Sequence, residues 1–252
     1  ETPDRLPPLL AEIRRRETFP WSCGLAAQDP DLYRFYIRCY AALVSEIAHH
    51  VGRLLQELSA LGVADDTIVV YTSDHGDFVA HHGMVEKAAL GHNVYEDTLR
   101  VPLIVHAPQR FAPGPRDDLV ELVDLYPTLC DVAGLGRPAA QPLQGLSLAA
   151  CLLDRAPVGR DHVVSENGTQ CTVIERRFKL GRWVEPIDPR MDFRGFGDML
   201  FDRPTDPHEC HNRIGDPALT AELRRLNARI DHHLLMAPDQ AWQALMPARS
   251  FG

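Results

Sequence analysis

Thr67-Ile68-Val69-Val70-Tyr71-Thr72-Ser73-Asp74-His75-Gly76-Asp77 is the stretch on which the reading of this chain turns. Its first six residues are apolar or β-branched and read as a strand. They do not alternate with polar residues, which predicts a parallel strand covered on both faces. A carboxylate, an imidazole and a glycine follow at once. In open α/β sheets ligands bind beyond the carboxyl ends of strands, so Asp74 and His75 are expected to face a site crevice. An aspartate oxygen beside a histidine nitrogen is a ligand pair for a divalent metal, and Gly76 lets the backbone turn tightly behind it. The competing reading is an Asp74 that caps a following helix next to a hydrogen-bonded histidine. Asp77, His81 and His82 continue the loop as candidate supports for the metal ligands or as substrate contacts. Lys87 places a cation within reach of an anionic ligand.

Upstream, Tyr40, Leu43, Val44, Ile47, Val51, Leu54, Leu55 and Leu58 recur at three- and four-residue steps and predict a helix with one apolar stripe. Glu46, His49, His50, Arg53 and Glu57 fall on its other face, where both histidines read as solvated, and Gly62 is placed to end it. Residues 1–35 read as an irregular lead-in with a short helix at Leu9 to Arg16. Downstream, Val101-Pro102-Leu103-Ile104-Val105 is a second strand, with Pro102 at its start or on an edge. A helix is expected from Asp124 to Ala133, with Asp124 as N-cap, Pro127 in the first turn and Gly134 closing it. Helix, strand, strand and helix in this order give an α/β sheet sandwiched by helices.

After a Pro-, Gly- and Leu-rich connection at 135–160 the texture changes. Val163 to Glu166, Cys171 to Ile174, Phe178 to Trp183 and Met199 to Phe201 read as a small antiparallel sheet. Asp216-Pro217 opens a last helix striped by Leu219, Leu223, Leu226, Ile230 and Leu234. The expected division is 1–160 for the α/β part and 161–252 for a small α+β subdomain.

Composition sets the exclusions. The 252 residues carry 26 Lys plus Arg against 35 Asp plus Glu, a net charge of −9, which disfavours nucleic acid as a partner. No apolar run approaches the roughly 20 residues of a membrane span. The cysteines (Cys23, Cys39, Cys130, Cys151, Cys171, Cys210) are dispersed without a C-x-x-C pair, read as free thiols, and favour the cytoplasm over the periplasm or secretion. Glu1-Thr2-Pro3-Asp4-Arg5 has no signal-peptide apolar stretch, and the start at Glu1 suggests a piece of a longer chain.

The run TIVVYTSDHGDFVAHHGMVEKAALGHNVYEDTLRVPLIVHAP (67–108) resembles the sulfatase family of the alkaline-phosphatase superfamily. So do the preceding YAALVSEIAHHVGRLLQELSALGVADDT (40–67), LVDLYPTLCDVAGL (122–135) and LQGLSLAACL (143–152). MLFDRPTDPHECHN (199–212) is similar to the family's L-Y-D-L-x-x-D-P-x-E-x-x-N element. The resemblance implies an alkaline-phosphatase-like α/β sheet sandwiched by helices, present in part. It adds a small antiparallel-sheet C-terminal subdomain with a terminal helix.

By the same resemblance, Asp74 and His75 complete a divalent metal site, with Ca²⁺ first and Mg²⁺ or Mn²⁺ as alternatives. Lys87 corresponds to a lysine that contacts the sulfate oxygens or the nucleophile. Its separation from Tyr95-Glu96 exceeds the family's spacing, which brings in Gly91-His92-Asn93, and His92 above all, as a substrate contact. Arg100 is expected to anchor the next strand by ion pairing. The implied activity is hydrolysis of sulfate monoesters of small molecules or carbohydrates. The family's nucleophile is a formylglycine made in C-x-P-x-R or S-x-P-x-R, and no Cys or Ser in this sequence has Pro two residues on. The expectation is therefore a C-terminal half whose nucleophile lies in a missing N-terminal half, inactive by itself. Phosphonate or phosphate ester hydrolysis, and a non-catalytic fragment or pseudoenzyme, are the alternatives. The D-P-x-E-x-x-N element argues against a two-metal phosphodiesterase or mutase.

Overall fold

The computed structural model describes residues 11, 30–87, 94–136, 143–167, 170–184 and 194–236, and the short helix expected at Leu9 to Arg16 falls almost wholly outside them. Helix α1 runs Pro30–Ala60, ten residues further towards the N-terminus than the apolar stripe requires. It ends as Gly62 predicts. Val63 N–H reaches the Leu58 carbonyl at 3.1 Å and Gly62 N–H that of Ser59 at 3.0 Å, with Gly62 at φ +72°. That pair of bonds satisfies carbonyls the helix cannot. No residue of α1 is buried, and most of its stripe, including Leu43 and Leu54, lies open among the described residues, with Tyr40, Val51 and Leu58 half-buried.

Strand β1 (Val69–Thr72) pairs with β2 (Leu103–His106) in register Val69 with His106 and Thr72 with Leu103. The pairing is antiparallel, which corrects the expected parallel strand. Neither strand is closed on both faces either: β1 is half-buried until the exposed Thr72, and Ile104 of β2 is exposed. A continuous apolar run signals affinity for cover but carries no information on the direction of the neighbouring strand. Between the strands lies the one-turn helix α2 (Glu96–Leu99).

Helix α3 (Leu125–Val132) follows a 3₁₀ turn, Leu122–Asp124, and Gly134 at φ +67° lies just beyond its end. Asp124 does not cap α3 with its side chain as expected. Its fully buried carboxylate instead accepts the N–H groups of Glu121 (2.8 Å) and Leu146 (2.7 Å) and both Arg160 nitrogens (2.5 and 2.7 Å). Gly145 has no room for a Cβ, which would lie 2.2 Å from the Val123 carbonyl oxygen. Asp124→Asn weakens the Arg160 pair while keeping one acceptor, so urea unfolding is expected to show a loss of about 2 kcal/mol. Helix α4 (Ala149–Asp154) completes this part.

Strands β3 (Val163–Glu166), β4 (Gln170–Ile174), β5 (Phe178–Trp183) and β6 (Met199–Asp202) form an antiparallel sheet in chain order. Asp216 accepts Ala218 N–H at 2.9 Å and starts the turn into α5 (Thr220–Met236). Leu226 and Ile230 of α5 pack with Cys171, Val173, Phe178, Leu180 and Leu200 on one sheet face. The other face is covered too. Trp183, Met199 and Phe201 form a core with Phe78, Met84, Val94 and Tyr95 from the segment that follows β1. At Gly181 a Cβ would meet Val94 Cγ1 at 2.2 Å, so the glycine is what lets that segment come so close. The sheet is therefore the floor on which the D-H-G loop rests.

Candidate active site at the end of strand β1

Beyond Thr72 the chain bends rather than entering a helix, so Asp74 has no helix to cap. Gly76 N–H donates to the Thr98 carbonyl at 2.9 Å, and a Cβ on Gly76 would fall 2.0 Å from the Asp97 carbonyl oxygen. The turn is thus seated directly on the backbone of α2. Gly76→Ala forces backbone apart from backbone, and is expected to cost about 1–3 kcal/mol in a denaturant titration.

This seat presents Asp74 and His75 outward, with side chains 86% and 42% exposed. The His75 backbone N–H, above all, holds the Asp74 carboxyl below its ordinary value, so it is ready as an anion. His75 Nδ1 lies 2.8 Å from the Gly76 carbonyl, an acceptor only, which makes Nδ1 the protonated nitrogen and leaves the Nε2 lone pair outward. Nε2 is 3.7 Å from Asp74 Oδ2 and 3.3 Å from Lys87 Nζ. Asp74, His75 and Lys87, distant by up to thirteen positions in sequence, are therefore brought together.

The other candidates among the described residues make different contacts. Asp77 turns inward, accepting the Tyr36 hydroxyl at 3.0 Å and Val79 N–H at 2.7 Å. Burial, and then the Asp77 carboxylate, push the Tyr36 phenol above its ordinary pKa, so it stays a donor. Tyr33 donates to the Gly83 carbonyl at 2.8 Å, and these two tyrosines of α1 grip the loop at both ends. The loop is strained: Val79, Ala80, His82 and Glu86 all have φ between +46° and +69°, costly for side chains with a Cβ. His81 pairs with Asp97 at 2.9 Å, and His82, buried, faces Phe78 and Tyr95. His92, with Gly91 and Asn93, lies outside the described residues. Arg100 is 3.9 Å from Glu96 and 81% exposed, a loose ion pair. His49 and His50 lie on the exposed side of α1.

Sequence reasoning missed the charge cluster under α2. Lys179, fully buried in β5, pairs with Glu209, donates to Glu96 Oε2 at 3.1 Å and to the Val94 carbonyl at 3.0 Å. Glu209 accepts Glu96 N–H at 2.8 Å, and Arg203 pairs with Glu96 at 2.8 Å. Burial raises the Glu209 carboxyl against the pull of Lys179. Burial opposes the Glu96 charge as well, but Lys179 and Arg203 outweigh it and hold that carboxyl low. The available signal was a lone lysine inside the strand FKLGRW.

Two family descriptions fit this architecture. Sulfatase matches residues 17–135, and N-sulphoglucosamine sulphohydrolase, C-terminal, matches 81–234, more than half of the chain. The chain belongs to the sulfatase family. The N-acetylglucosamine-6-O-sulfatase of Bacteroides thetaiotaomicron is 38% identical over 73% of this chain and 33% of its own length. The Delta 4,5-hexuronate-2-O-sulfatase of the same organism is 31% identical over 82% of this chain and 43% of its own. A solved 2-O GAG sulfatase superposes with a TM-score of 0.77 at 27% identity, covering 98% of this chain and 52% of that one. The chain thus spans a third and 43% of these curated relatives and about half of the solved one.

Proposed function

We propose that this sulfatase-family chain serves the hydrolysis of sulfate monoesters carried by carbohydrates, with Asp74 and His75 holding a divalent cation and Lys87 meeting the sulfate. The observation that supports this is the convergence of an ionised carboxylate and an ammonium, at 3.7 and 3.3 Å, on the outward lone pair of His75 Nε2. Asp74 Oδ2 and His75 Nε2 are spaced as two ligands of one cation of roughly 2.0–2.6 Å bond length, so the pair fits the group. Carboxylate oxygen favours Ca²⁺ or Mg²⁺, whereas His75 admits Mn²⁺. Such a cation supplies Lewis-acid polarisation of the ester oxygens.

The chain's own residues do the rest. The Gly76 carbonyl keeps the His75 proton on Nδ1, so Nε2 stays a ligand. Lys87 fixes a positive charge beside the sulfate group, whose oxygens share the charge of the transition state while the alcohol departs. Asp77 and Tyr36 hold the loop that carries both. The sequence has no C-x-P-x-R or S-x-P-x-R stretch, so the proposed nucleophile, a formylglycine, comes from outside it.

Carbohydrate substrates are suggested by the N-acetylglucosamine-6-O-sulfatase relative. A related structure, 26% identical with a TM-score of 0.67, is solved with D-glucosamine-2-N,6-O-disulfate as its substrate. A second reading, phosphonate or phosphate ester hydrolysis, draws on a 28% identical multifunctional alkaline phosphatase superfamily protein of Trinickia caryophylli. The test is an assay of the whole polypeptide containing these residues, with 6-O-sulfated N-acetylglucosamine, an aryl sulfate and a phosphonate monoester, before and after chelation. Sulfate turnover that chelation abolishes is expected. Faster turnover of the phosphonate would overturn the reading.

A further inference from the structure

We propose that His81, His82 and Asp97, joined by His208, form a transition-metal site of their own, built for Zn²⁺ and independent of the Asp74–His75 pair. Ligand atoms of His81, His82 and Asp97 all lie within 4.8 Å of one another. His81 Nδ1 sits 2.9 Å from both Asp97 oxygens, and the His81 and His82 rings stack at 4.0 Å and 37°. The His208 ring stands edge-on to His81 at 5.3 Å. His81 and His208 line one side of a cavity of about 320 Å³, with Glu96, Asp97, Pro207 and Glu209 around it.

Chemistry favours a cation of this class. Two imidazoles and one carboxylate, with the His208 imidazole beside them, make a nitrogen-rich set, which suits Zn²⁺ and its neighbours and does not suit Ca²⁺. Zinc bonds to nitrogen and oxygen of about 2.0–2.2 Å put tetrahedral ligands about 3.3 Å apart, so the His81–Asp97 pair opens by a few tenths of an ångström while the group as a whole, spread within 4.8 Å, closes by up to about 1.5 Å. The donors come from backbone that is already strained: Ala80 has φ +69° and His82 φ +52°. Adjacent histidines in that conformation put both rings on one spot, whereas an extended strand would send them to opposite faces.

The donors also come from three remote segments: the loop after β1, helix α2, and the turn after β6. A metal among them ties the C-terminal sheet to the loop carrying the D-H-G turn, because the Asp97 carbonyl is the surface on which Gly76 sits. Binding to the folded state alone stabilises it by mass action.

The inference does not rest on the sulfatase reading, since its readout is metal content. The chelator-stripped protein is equilibrated with Zn²⁺ and, separately, Ca²⁺, then washed and its metal measured together with its thermal midpoint. One zinc at this site and a raised midpoint are expected, and in Asp74→Asn, which lacks a ligand of the proposed Ca²⁺ site, zinc still gives that rise and Ca²⁺ does not. His81→Ala is expected to lose that zinc, Asp74→Asn to keep it, and His208→Gln to weaken it at least tenfold. His208 is exposed, so its variant keeps the zinc-free midpoint of the parent and separates lost binding from lost folding. Zinc retained at parental affinity by both His81→Ala and His208→Gln, or lost by Asp74→Asn alone, would overturn the proposal.

Discussion

Asp74→Asn lowers kcat/KM for a sulfate ester by about 10³-fold, a loss of about 4 kcal/mol of transition-state stabilisation, while leaving the unfolding midpoint nearly unchanged. Both halves of this expectation come from the same geometry. The carboxylate is 86% exposed, and it meets its own chain neighbours Ser73 and His75, so the fold loses little with its charge. The proposed cation loses a negative ligand, which an amide oxygen does not replace. Lys87→Ala is expected to act on the same step more weakly, by about 10²-fold, since a single charge in a partly wet site stabilises less than a bound metal. Steady-state kinetics with 6-O-sulfated N-acetylglucosamine, paired with metal content after dialysis, checks both. Loss of turnover in Asp74→Asn with metal content unchanged would remove Asp74 from the metal site.

Lys179→Met has the opposite profile and costs about 3–5 kcal/mol of stability. The ammonium is fully buried and is the countercharge for Glu209, itself 3% exposed. Without it, Glu209 is left charged under the sheet, and the Val94 carbonyl loses its donor. The second substitution decides whether the charge or the volume matters. Lys179→Met with Glu209→Gln removes the orphaned charge, keeps an acceptor for Glu96 N–H, and is expected to recover at least half of the loss, because Arg203 still serves Glu96. Guanidinium titrations of the four members of this cycle measure it.

The grouping of Asp74, His75 and Lys87 was more legible in the sequence than the sheet around it. Asp74, His75 and Lys87 are found together because strand, turn and loop are local features with local signals. Helix α1 and its end at Gly62 were legible for the same reason. The direction of β2 against β1 was not, since apolar residues report burial and not the polarity of a neighbouring chain. Asp124 misled because a carboxylate before a helix is most often a cap. Here it is pulled backward by Arg160, thirty-six residues on, and no local pattern encodes that distance. Lys179 and Glu209 escaped for a related reason: each reads as a surface residue until the partner is placed beside it.

Strand β5 carries a further consequence. Phe178, Leu180 and Arg182 face α5, whereas Lys179, Gly181 and Trp183 face the loop after β1. Sliding the strand by one residue would press an ammonium into the Leu226–Ile230 core and thrust Leu180 among Glu96 and Glu209. Lys179 thus acts as a key that admits only one alignment, and the alignment it admits is the one that seats α2 beneath the D-H-G turn.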